Sequence, residues 1–287
     1  MKTVDFDQLR RFSADIRIQT VKAIGDFGYG HIGGSVSFAD LMAVLYGEVM
    51  NVDPKDPKKE DRDWFVLSKG HCAPGLYATL ALKGFFPMEW LSTINQGGTN
   101  LPSHADTRKV PGVDISTGSL GQGISAAVGI AAANKYLGRD SYTYCLIGDG
   151  ESNEGQVWEA LESANKFELD HLYIFVDWNK KQLDGTLEEI MPPVDLAKKF
   201  EAFGLDTRVC RGDDVEAIYK AIMAAREVKG KAHCIVLDTW KGLGISFAEK
   251  EAFNHYMTFG PDKAREAADE IEKRLANGTY PGGDVKW

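Results

Sequence analysis

Apolar and polar positions follow two different periods along the chain. Near the start, apolar residues recur at helical spacing and predict a helix over residues 7–27. The segment "SFAD" (37–40) resembles a capping box with a shorter acid, so we expect a second helix to begin at Ser37. The stretches 70–84 and 119–138 predict two more helices. The second is apolar nearly all round, which predicts a buried helix.

In the second half, short apolar runs alternate with amphipathic stretches. Strands are predicted at residues 142–148, 171–177, 206–210 and 232–239. Helices are predicted at residues 155–167, 194–203 and 213–227. Short apolar strands separated by such helices are typical of a parallel sheet with helices on both faces. The predicted fold class is α/β, a doubly wound and mostly parallel sheet. We expect one domain over residues 1–270 and a C-terminal tail over residues 271–287, in which "NGTYPGGDVKW" (277–287) is expected to be loose.

Composition narrows the classes of function. The 287 residues allow one large α/β domain or two smaller ones, and the formal net charge is −9. No Lys/Arg cluster exists beyond "DPKKEDR", so a nucleic-acid partner is not expected. The start of the chain has no signal-peptide core, and "ISAAVGIAAA" is too short to span a bilayer, so no membrane is expected. The four cysteines form no CxxC pair, which fits a reducing cytoplasm.

Polar residues follow two successive predicted strands. Asp149 ends "LIGDG", and Asn179 stands 30 residues later, after the next strand. Ligands of open parallel sheets bind at the carboxyl ends of the strands, so both oxygens are expected to face one crevice. Together with a backbone carbonyl, they would half-enclose a hard cation such as Mg²⁺ or Ca²⁺. The helix after "GDG" would offer N–H groups to phosphates. The alternative is that both residues only form turns.

The wider pattern decides between these alternatives. "GDG" followed by Asn within a β-α-β unit is the thiamine-diphosphate signature, and the sequence resembles the N-terminal half of transketolase. The resemblance is strongest to the split type, in which two genes encode the halves, and it covers roughly residues 8–260. The motifs that carry it are "GHIGGSVSFADLM", "DWFVLSKGHCAPGLYATLALKG", "LPSHADTRKVPGVDISTGSLGQG", "GDGESNEGQVWEA", "VDWNKKQLDG" and "TWKGLGISF".

The resemblance implies a thiamine-diphosphate-binding fold with a divalent cation, Mg²⁺ or in its place Ca²⁺ or Mn²⁺. Asp149, Asn179 and the backbone carbonyl of Lys181 match the family's metal ligands, although the family usually has Ile or Leu at the last position. Asn179 is also counted among the cofactor contacts. The remaining matched backbone contacts to the cofactor are Gly118, Leu120 and Gly150.

Four of the six histidines match active-site positions of the family. The resemblance assigns His31, His104 and His255 to substrate contacts, and it places His71 near the cofactor diphosphate and the substrate. His71 and His255 are counted among the cofactor contacts as well. Imidazole suits proton movement near neutral pH. Lys241 matches a lysine near the active site. The alternatives are satisfied core or surface histidines and a solvated loop lysine.

Two acids on the helix after "GDG" have a more distant implied role. Glu154 and Glu159 are five residues apart, so they do not share one helix face, and ordinary helix surface is the alternative. In the family, the corresponding acids face the other subunit. The resemblance also places Glu154 close to the partner's activating glutamate, so Glu154 is counted among the cofactor contacts.

The implied activity is transfer of a two-carbon ketol unit from a ketose phosphate to an aldose phosphate. We expect the chain to be inactive alone and to need a separate C-terminal subunit, with pyrimidine-binding and C-terminal domains, in an α2β2 assembly. One alternative is the same chemistry on a sulfonated or branched sugar. Others are another enzyme of the cofactor superfamily, such as deoxyxylulose-phosphate synthase or a 2-oxo acid dehydrogenase subunit, and a non-catalytic subunit that kept the fold.

Overall fold

The computed structural model describes residues 4–281 as helices packed on both faces of a parallel sheet. The strands are β1 (Tyr29–Gly30), β2 (Trp64–Leu67), β3 (Thr143–Gly148), β4 (Leu172–Trp178), β5 (Asp206–Arg211), β6 (His233–Asp238) and β7 (Met257–Thr258). The five longer strands are all parallel and lie in the order β2-β3-β4-β6-β5. β1 and β7 form a separate antiparallel pair.

Eleven α-helices lie within the described residues. They are α1 (Phe6–Phe27), α2 (Ile32–Val36), α3 (Ala39–Val44), α4 (Ala73–Leu82), α5 (Gln122–Tyr136), α6 (Gly155–Lys166), α7 (Leu187–Ile190), α8 (Leu196–Ala202), α9 (Val215–Arg226), α10 (Ser246–Glu249) and α11 (Pro261–Ala276). Short 3₁₀ segments occur at Gly70–Cys72, Met88–Thr93 and Glu151–Asn153, and a π-helical turn, Leu45–Val49, continues α3.

Alternating side chains of the strands divide the sheet's core into two layers. Phe65 and Leu67 of β2 pack on one face with α1, α3, α4 and α9, while Val66 packs on the other with α5, α6 and α8. The doubly wound α/β prediction is therefore confirmed. The four predicted strands are present, whereas β2 was missed because a run of only four apolar residues does not distinguish a strand from a segment of a buried helix.

The segment Ile32–Val49 is long and apolar enough to cross a membrane by composition, but 83% of it is buried within the fold. It comprises α2, α3 and the π-helical turn. Its apolar residues pack in the cores on one face of the sheet and beside α1. Its apolar character is therefore accounted for by packing inside the domain.

The predicted capping box at Ser37 is wrong. α3 begins after Phe38 without a side-chain cap, and the Ser37 hydroxyl donates instead to Asp177 at 2.6 Å. Asp40, the expected capping acid, forms a buried ion pair with Arg17 at 2.6 Å. Long-range pairing of buried polar groups thus replaced the local cap, because an unpaired buried charge is costly.

The prediction that α5 is buried all round is also wrong. Only one side of α5 packs, against β2, β3 and α6, whereas Gly129 and Ala133 on its other side are exposed. At the end of the helix, Tyr136 is 90% exposed. Because small apolar residues lie on both sides of α5, the hydropathy pattern could not distinguish the packed side of the helix from the exposed side.

The C-terminal segment is tied to the domain as far as the structure describes it. α11 packs against α1 and spans the predicted boundary between residues 270 and 271. The hydroxyl of Tyr280 hydrogen-bonds to Ser13 at 2.8 Å and accepts from Arg17. The loose-tail prediction is therefore wrong through residue 281, and its remainder, 282–287, lies outside the described residues.

Two helical glycines make a matched test of the packing. A Cβ at Gly75 in α4 would lie 2.2 Å from the carbonyl oxygen of Ser35, whereas a Cβ at Gly129 in α5 would meet nothing within 4 Å. We expect Gly75→Ala to lower the free energy of unfolding by about 1–3 kcal/mol through overpacking. Gly129→Ala should raise it by about 0.5–1 kcal/mol. Urea unfolding measures both, and equal stability of the two variants would contradict the packing described here.

Candidate active site

The site lies where β3 and β4 end side by side. Gly148 is in register with Asp177, so the next residues of both strands emerge at the same edge of the sheet. Asp149 is 4% exposed and accepts hydrogen bonds from the backbone N–H groups of Gly150 at 2.7 Å and Lys180 at 2.8 Å. Asn179 is likewise buried. Adjacent parallel strands therefore bring the two polar residues together, as ligand sites of such sheets require.

A cavity of 360 Å³ opens at this edge and gathers the predicted site residues. Its lining includes every residue assigned to the catalytic, cofactor or metal sets, namely His31, His71, His104, Gly118, Leu120, Asp149, Gly150, Glu154, Asn179, Lys181, Lys241 and His255. Glu159 does not line it and is exposed on α6. Seven further residues line the cavity and were assigned to none of these sets, namely Gly34, Lys69, Cys72, Gly148, Glu151, Gln182 and Leu183.

A buried ion pair lies at the cavity, between Lys69 in its lining and Asp177 of β4. The Lys69 ammonium donates to Asp177 and to the backbone carbonyl of Gly34, and both charged side chains are at most 3% exposed. Burial is the largest single influence and would lower the pKa of Lys69, but the charge and hydrogen bond of Asp177, together with the nearby Cys72 and Asp149, outweigh it and the pKa is raised. Asp177 also accepts from the Ser37 hydroxyl, so segments from distant parts of the chain meet at one carboxylate.

The same carboxylate orients Asn179. The Asn179 amide nitrogen donates to Asp177 at 2.9 Å, an assignment set by the hydrogen-bond network, and its oxygen accepts from the N–H of Lys181 at 3.2 Å. Asp149, Asn179 and the Lys181 carbonyl line the same cavity and offer hard oxygen donors, which fit Mg²⁺ or Ca²⁺. Within residues 4–281, no group of three His, Cys, Asp or Glu residues could hold a metal.

The environment of Asp149 favours a nearby cation. Burial and then the charge of Asp177 raise the pKa of Asp149, while its hydrogen bonds from Gly150 and Lys180 act in the opposite direction. A bound dication would restore the ionised form, because an opposite charge nearby stabilises it. The carboxylate is thus placed where a cation would neutralise it.

The four predicted histidines form one cluster. The ring centre of His31 lies 5.3 Å from His71, 6.0 Å from His104 and 5.2 Å from His255. Burial is the main cause that lowers the pKa of His31 to about 4, of His71 to about 2 and of His255 to about 3. The pKa of His104 is lowered by the same cause. The rings are therefore neutral at physiological pH, and each can donate one hydrogen bond and accept another.

Lys241 lies inside the site and is 3% exposed, which contradicts the alternative of a solvated loop lysine. Its ammonium donates to the backbone carbonyls of Lys181 at 3.2 Å and Gln182 at 3.0 Å, and it contacts Nδ1 of His255 at 3.1 Å. Burial lowers its pKa, although the charge of Asp149 opposes this. Lys241 thus links the loop after β4 to the histidine cluster.

The sequence matches one protein family over most of its length. Residues 9–272 match the family described as "Transketolase, thiamine diphosphate binding domain". A protein of Clostridium sp. (strain MSTE9) named 6-deoxy-6-sulfo-D-fructose transketolase subunit SqwG is 46% identical over 261 residues, which are 91% of this chain and 95% of that protein. An apulose-4-phosphate transketolase subunit of Actinobacillus succinogenes is 38% identical over 94% of this chain and 98% of its own.

Solved structures give the same result for the fold. The transketolase from Leishmania mexicana superposes with a TM-score of 0.86 at 32% identity, covering 97% of this chain and 42% of that one. The chain therefore spans less than half of this solved relative but nearly all of the Clostridium and Actinobacillus subunits.

The buried ion pair generates a stability prediction. Asp177→Asn leaves the Lys69 ammonium buried without a counter-charge, so we expect the free energy of unfolding to fall by about 3–5 kcal/mol. The matched control is Asp262→Asn, which removes an ion pair to Arg265 in which both side chains are largely exposed. Such pairs contribute about 0–1 kcal/mol. Urea unfolding compares the two variants, and similar small losses would contradict a structural role for Asp177.

The neutral histidines generate a pH prediction. In the folded state the pKa values of His31 and His71 are lowered, so below about pH 6.5 the unfolded chain binds protons that the folded chain does not. The stabilisation is fully present above that pH and is lost as pH falls. Unfolding by urea at several pH values should show this decline. His71→Gln should make it shallower, and an unchanged slope in that variant would contradict the prediction.

Proposed function

Because the chain belongs to the transketolase thiamine-diphosphate-binding family, we propose that it forms the diphosphate-binding part of a two-subunit enzyme that transfers a two-carbon ketol unit between sugars. The resemblance inferred from the motifs is confirmed by the family match over residues 9–272. The observation that carries the proposal is the single cavity that collects the matched polar residues at the ends of β3 and β4.

The cation and the diphosphate would be held at the carboxyl edge of the sheet. Asp149, Asn179 and the Lys181 carbonyl supply the oxygens for Mg²⁺. α6 begins at Gly155, next to the cavity-lining Glu154 and without a side-chain cap. The N–H of Val157 already donates to the Glu154 carbonyl, so those of Gly155 and Gln156 would be offered to phosphate oxygens. Thiamine diphosphate, when bound, supplies the electron sink for cleavage of the carbon–carbon bond.

Glycine at position 118 supports close approach of a ligand. Gly118 has φ of +153°, and a Cβ there would lie 2.8 Å from the His104 ring. A side chain would therefore displace an imidazole assigned to the substrate. Leu120, in the loop just before α5, also lines the cavity. We assign Gly118 and Leu120 to the cofactor's thiazolium and aminopyrimidine region.

The histidine cluster would bind the sugar and move its protons. Neutral imidazoles at His31, His104 and His255 can each donate to a carbonyl oxygen or accept from a hydroxyl group. The Lys241 ammonium beside His255 would stabilise negative charge that develops on a sugar oxygen. His71 packs against both His31 and His255 and would contact both the diphosphate and the substrate.

Two relatives that this chain matches over nearly their whole length are named as subunits, which supports a separate partner subunit for this chain. We propose that the partner supplies the aminopyrimidine-binding half of the site and that the two form an α2β2 assembly. Exposed Glu154, at the cavity, and Glu159, beyond it on α6, would face a neighbouring subunit. The cytoplasm remains our proposal for the compartment.

Sugar phosphates are the proposed substrates, with one specific alternative. A relative that is 46% identical is named for 6-deoxy-6-sulfo-D-fructose, and another for apulose 4-phosphate. A sulfonated or branched sugar is therefore the second candidate, since the same cavity would act on the shared ketol end of each. Assaying these donors side by side distinguishes the candidates.

Turnover with the partner tests the proposal. We would assay ketol transfer from xylulose 5-phosphate to ribose 5-phosphate with Mg²⁺ and thiamine diphosphate, with and without the subunit encoded beside this chain. Sulfofructose and apulose 4-phosphate would be parallel donors. Activity is expected only with the partner, and chelation of Mg²⁺ should abolish it.

Two variants sharpen this assay. Asp149→Ala should abolish turnover because it removes the charged metal ligand, whereas Asp262→Ala, on the exposed start of α11, should leave it unchanged. Robust turnover by the chain alone, or full activity of Asp149→Ala, would contradict the proposed function.

A further inference from the structure

Glu151 is a buried acid beside the cavity to which the proposed reaction assigns no role. It is 2% exposed and follows directly after the Gly148–Gly150 turn. Its carboxylate accepts hydrogen bonds from the Ser68 hydroxyl, from the N–H of Gly121 at 2.8 Å and from the N–H of Gly148 at 3.1 Å. All three donors are uncharged.

Each donor belongs to a segment that lines the cavity. Ser68 lies at the end of β2, immediately before the segment that carries Lys69 and His71. Gly121 closes the loop that carries Gly118 and Leu120. The third donor is the last residue of β3, next to the "GDG" aspartate. One carboxylate therefore joins the end of its own strand, β3, to two segments that come from distant parts of the sequence.

We propose that Glu151 is a positioning residue for the cofactor site. Its carboxylate holds the loop 118–121 against the turn 148–150, so that both segments present their backbone to one diphosphate-bearing cofactor. The inference rests on the proposed function for the identity of that ligand. The hydrogen bonds themselves are independent of it.

A carboxylate is the group that this position requires. Its oxygens only accept, and they face one hydroxyl and two backbone N–H donors. A glutamine of the same shape would turn an N–H₂ group toward one of the backbone N–H groups, which leaves that donor unpaired and buried.

The surroundings cannot easily rearrange to compensate. A Cβ added at Gly123 would lie 2.6 Å from the Cα of Ser68, so the helix and the end of β2 are in direct contact. Gly121 has φ of +81°, and a Cβ there would lie 3.0 Å from Glu154. Little room therefore remains for a replacement partner beside Ser68 and Gly121, and an N–H group left unpaired there could be satisfied only by displacing the loop 118–121.

The test separates cofactor binding from chemistry in the assembled enzyme. Glu151→Gln is compared with Glu266→Gln, an exposed glutamate on α11, using the chain with its partner subunit and Mg²⁺. We expect the KM for thiamine diphosphate to rise about 10–100-fold in Glu151→Gln. The kcat at saturating cofactor should stay within about threefold, because the variant perturbs binding and not the groups that act on the sugar. Glu266→Gln should match the wild type in both.

A second variant covers failure of Glu151→Gln to fold. Ser68→Ala removes one donor and keeps the carboxylate with its two N–H partners, so a smaller rise in the same KM is expected. An unchanged cofactor KM in either folded variant would overturn the inference, even if its free energy of unfolding fell. Direct titration of the wild-type assembly with thiamine diphosphate, by tryptophan fluorescence, separates the two claims. If the wild-type assembly does not bind thiamine diphosphate, the proposed function and this inference both fail. If the wild-type assembly binds the cofactor and turns over, the proposed function stands, and the cofactor KM of the two variants then supports or overturns the role of Glu151.

Discussion

The site depends on the ion pair between Lys69 and Asp177, because these charges are tolerated in the core only while they face each other. Lys69 belongs to the segment after β2 and Asp177 to the end of β4, while Gly34 accepts from the same ammonium. The pair thus fixes the relative positions of the segments that carry His71, Asn179 and His31. A purely apolar contact of similar size would bury as much surface, but it would not fix the relative orientation of the segments that meet there.

Parallel pairing supplies the remaining constraint. Because β3 and β4 run in the same direction and in register, their carboxyl ends place one carboxylate and one amide side by side. Around them, loops approach so closely that only glycine fits at certain points. At Gly70, for example, a Cβ would lie 2.4 Å from the carbonyl oxygen of Thr117. Rigid strands and close loops together make a cavity whose polar groups are already oriented, as catalysis by positioning requires.

Sequence patterns predicted the parts of this arrangement that are local. The apolar runs predicted β3, β4 and β6, and the "GDG" and Asn spacing predicted that Asp149 and Asn179 would meet. The same patterns could not predict the structural roles of Lys69, Asp177 and Glu151. These roles come from burial and from partners more than 25 residues away in the chain. The same reason explains why the predicted cap at Ser37 is wrong and why Tyr280 is bound to the domain although its segment was predicted to be loose. Both are held by long-range hydrogen bonds that leave no periodic signal.

The cavity at the ends of β3 and β4 is proposed to hold the diphosphate of thiamine diphosphate through a divalent cation, and every assigned role depends on that placement. A crystal structure of the chain with its partner subunit, grown with Mg²⁺ and thiamine diphosphate, tests it most directly. We expect the cation within bonding distance of Asp149, Asn179 and the Lys181 carbonyl, with the diphosphate against Gly150. A diphosphate bound elsewhere, or a cation held without Asp149, would contradict this placement.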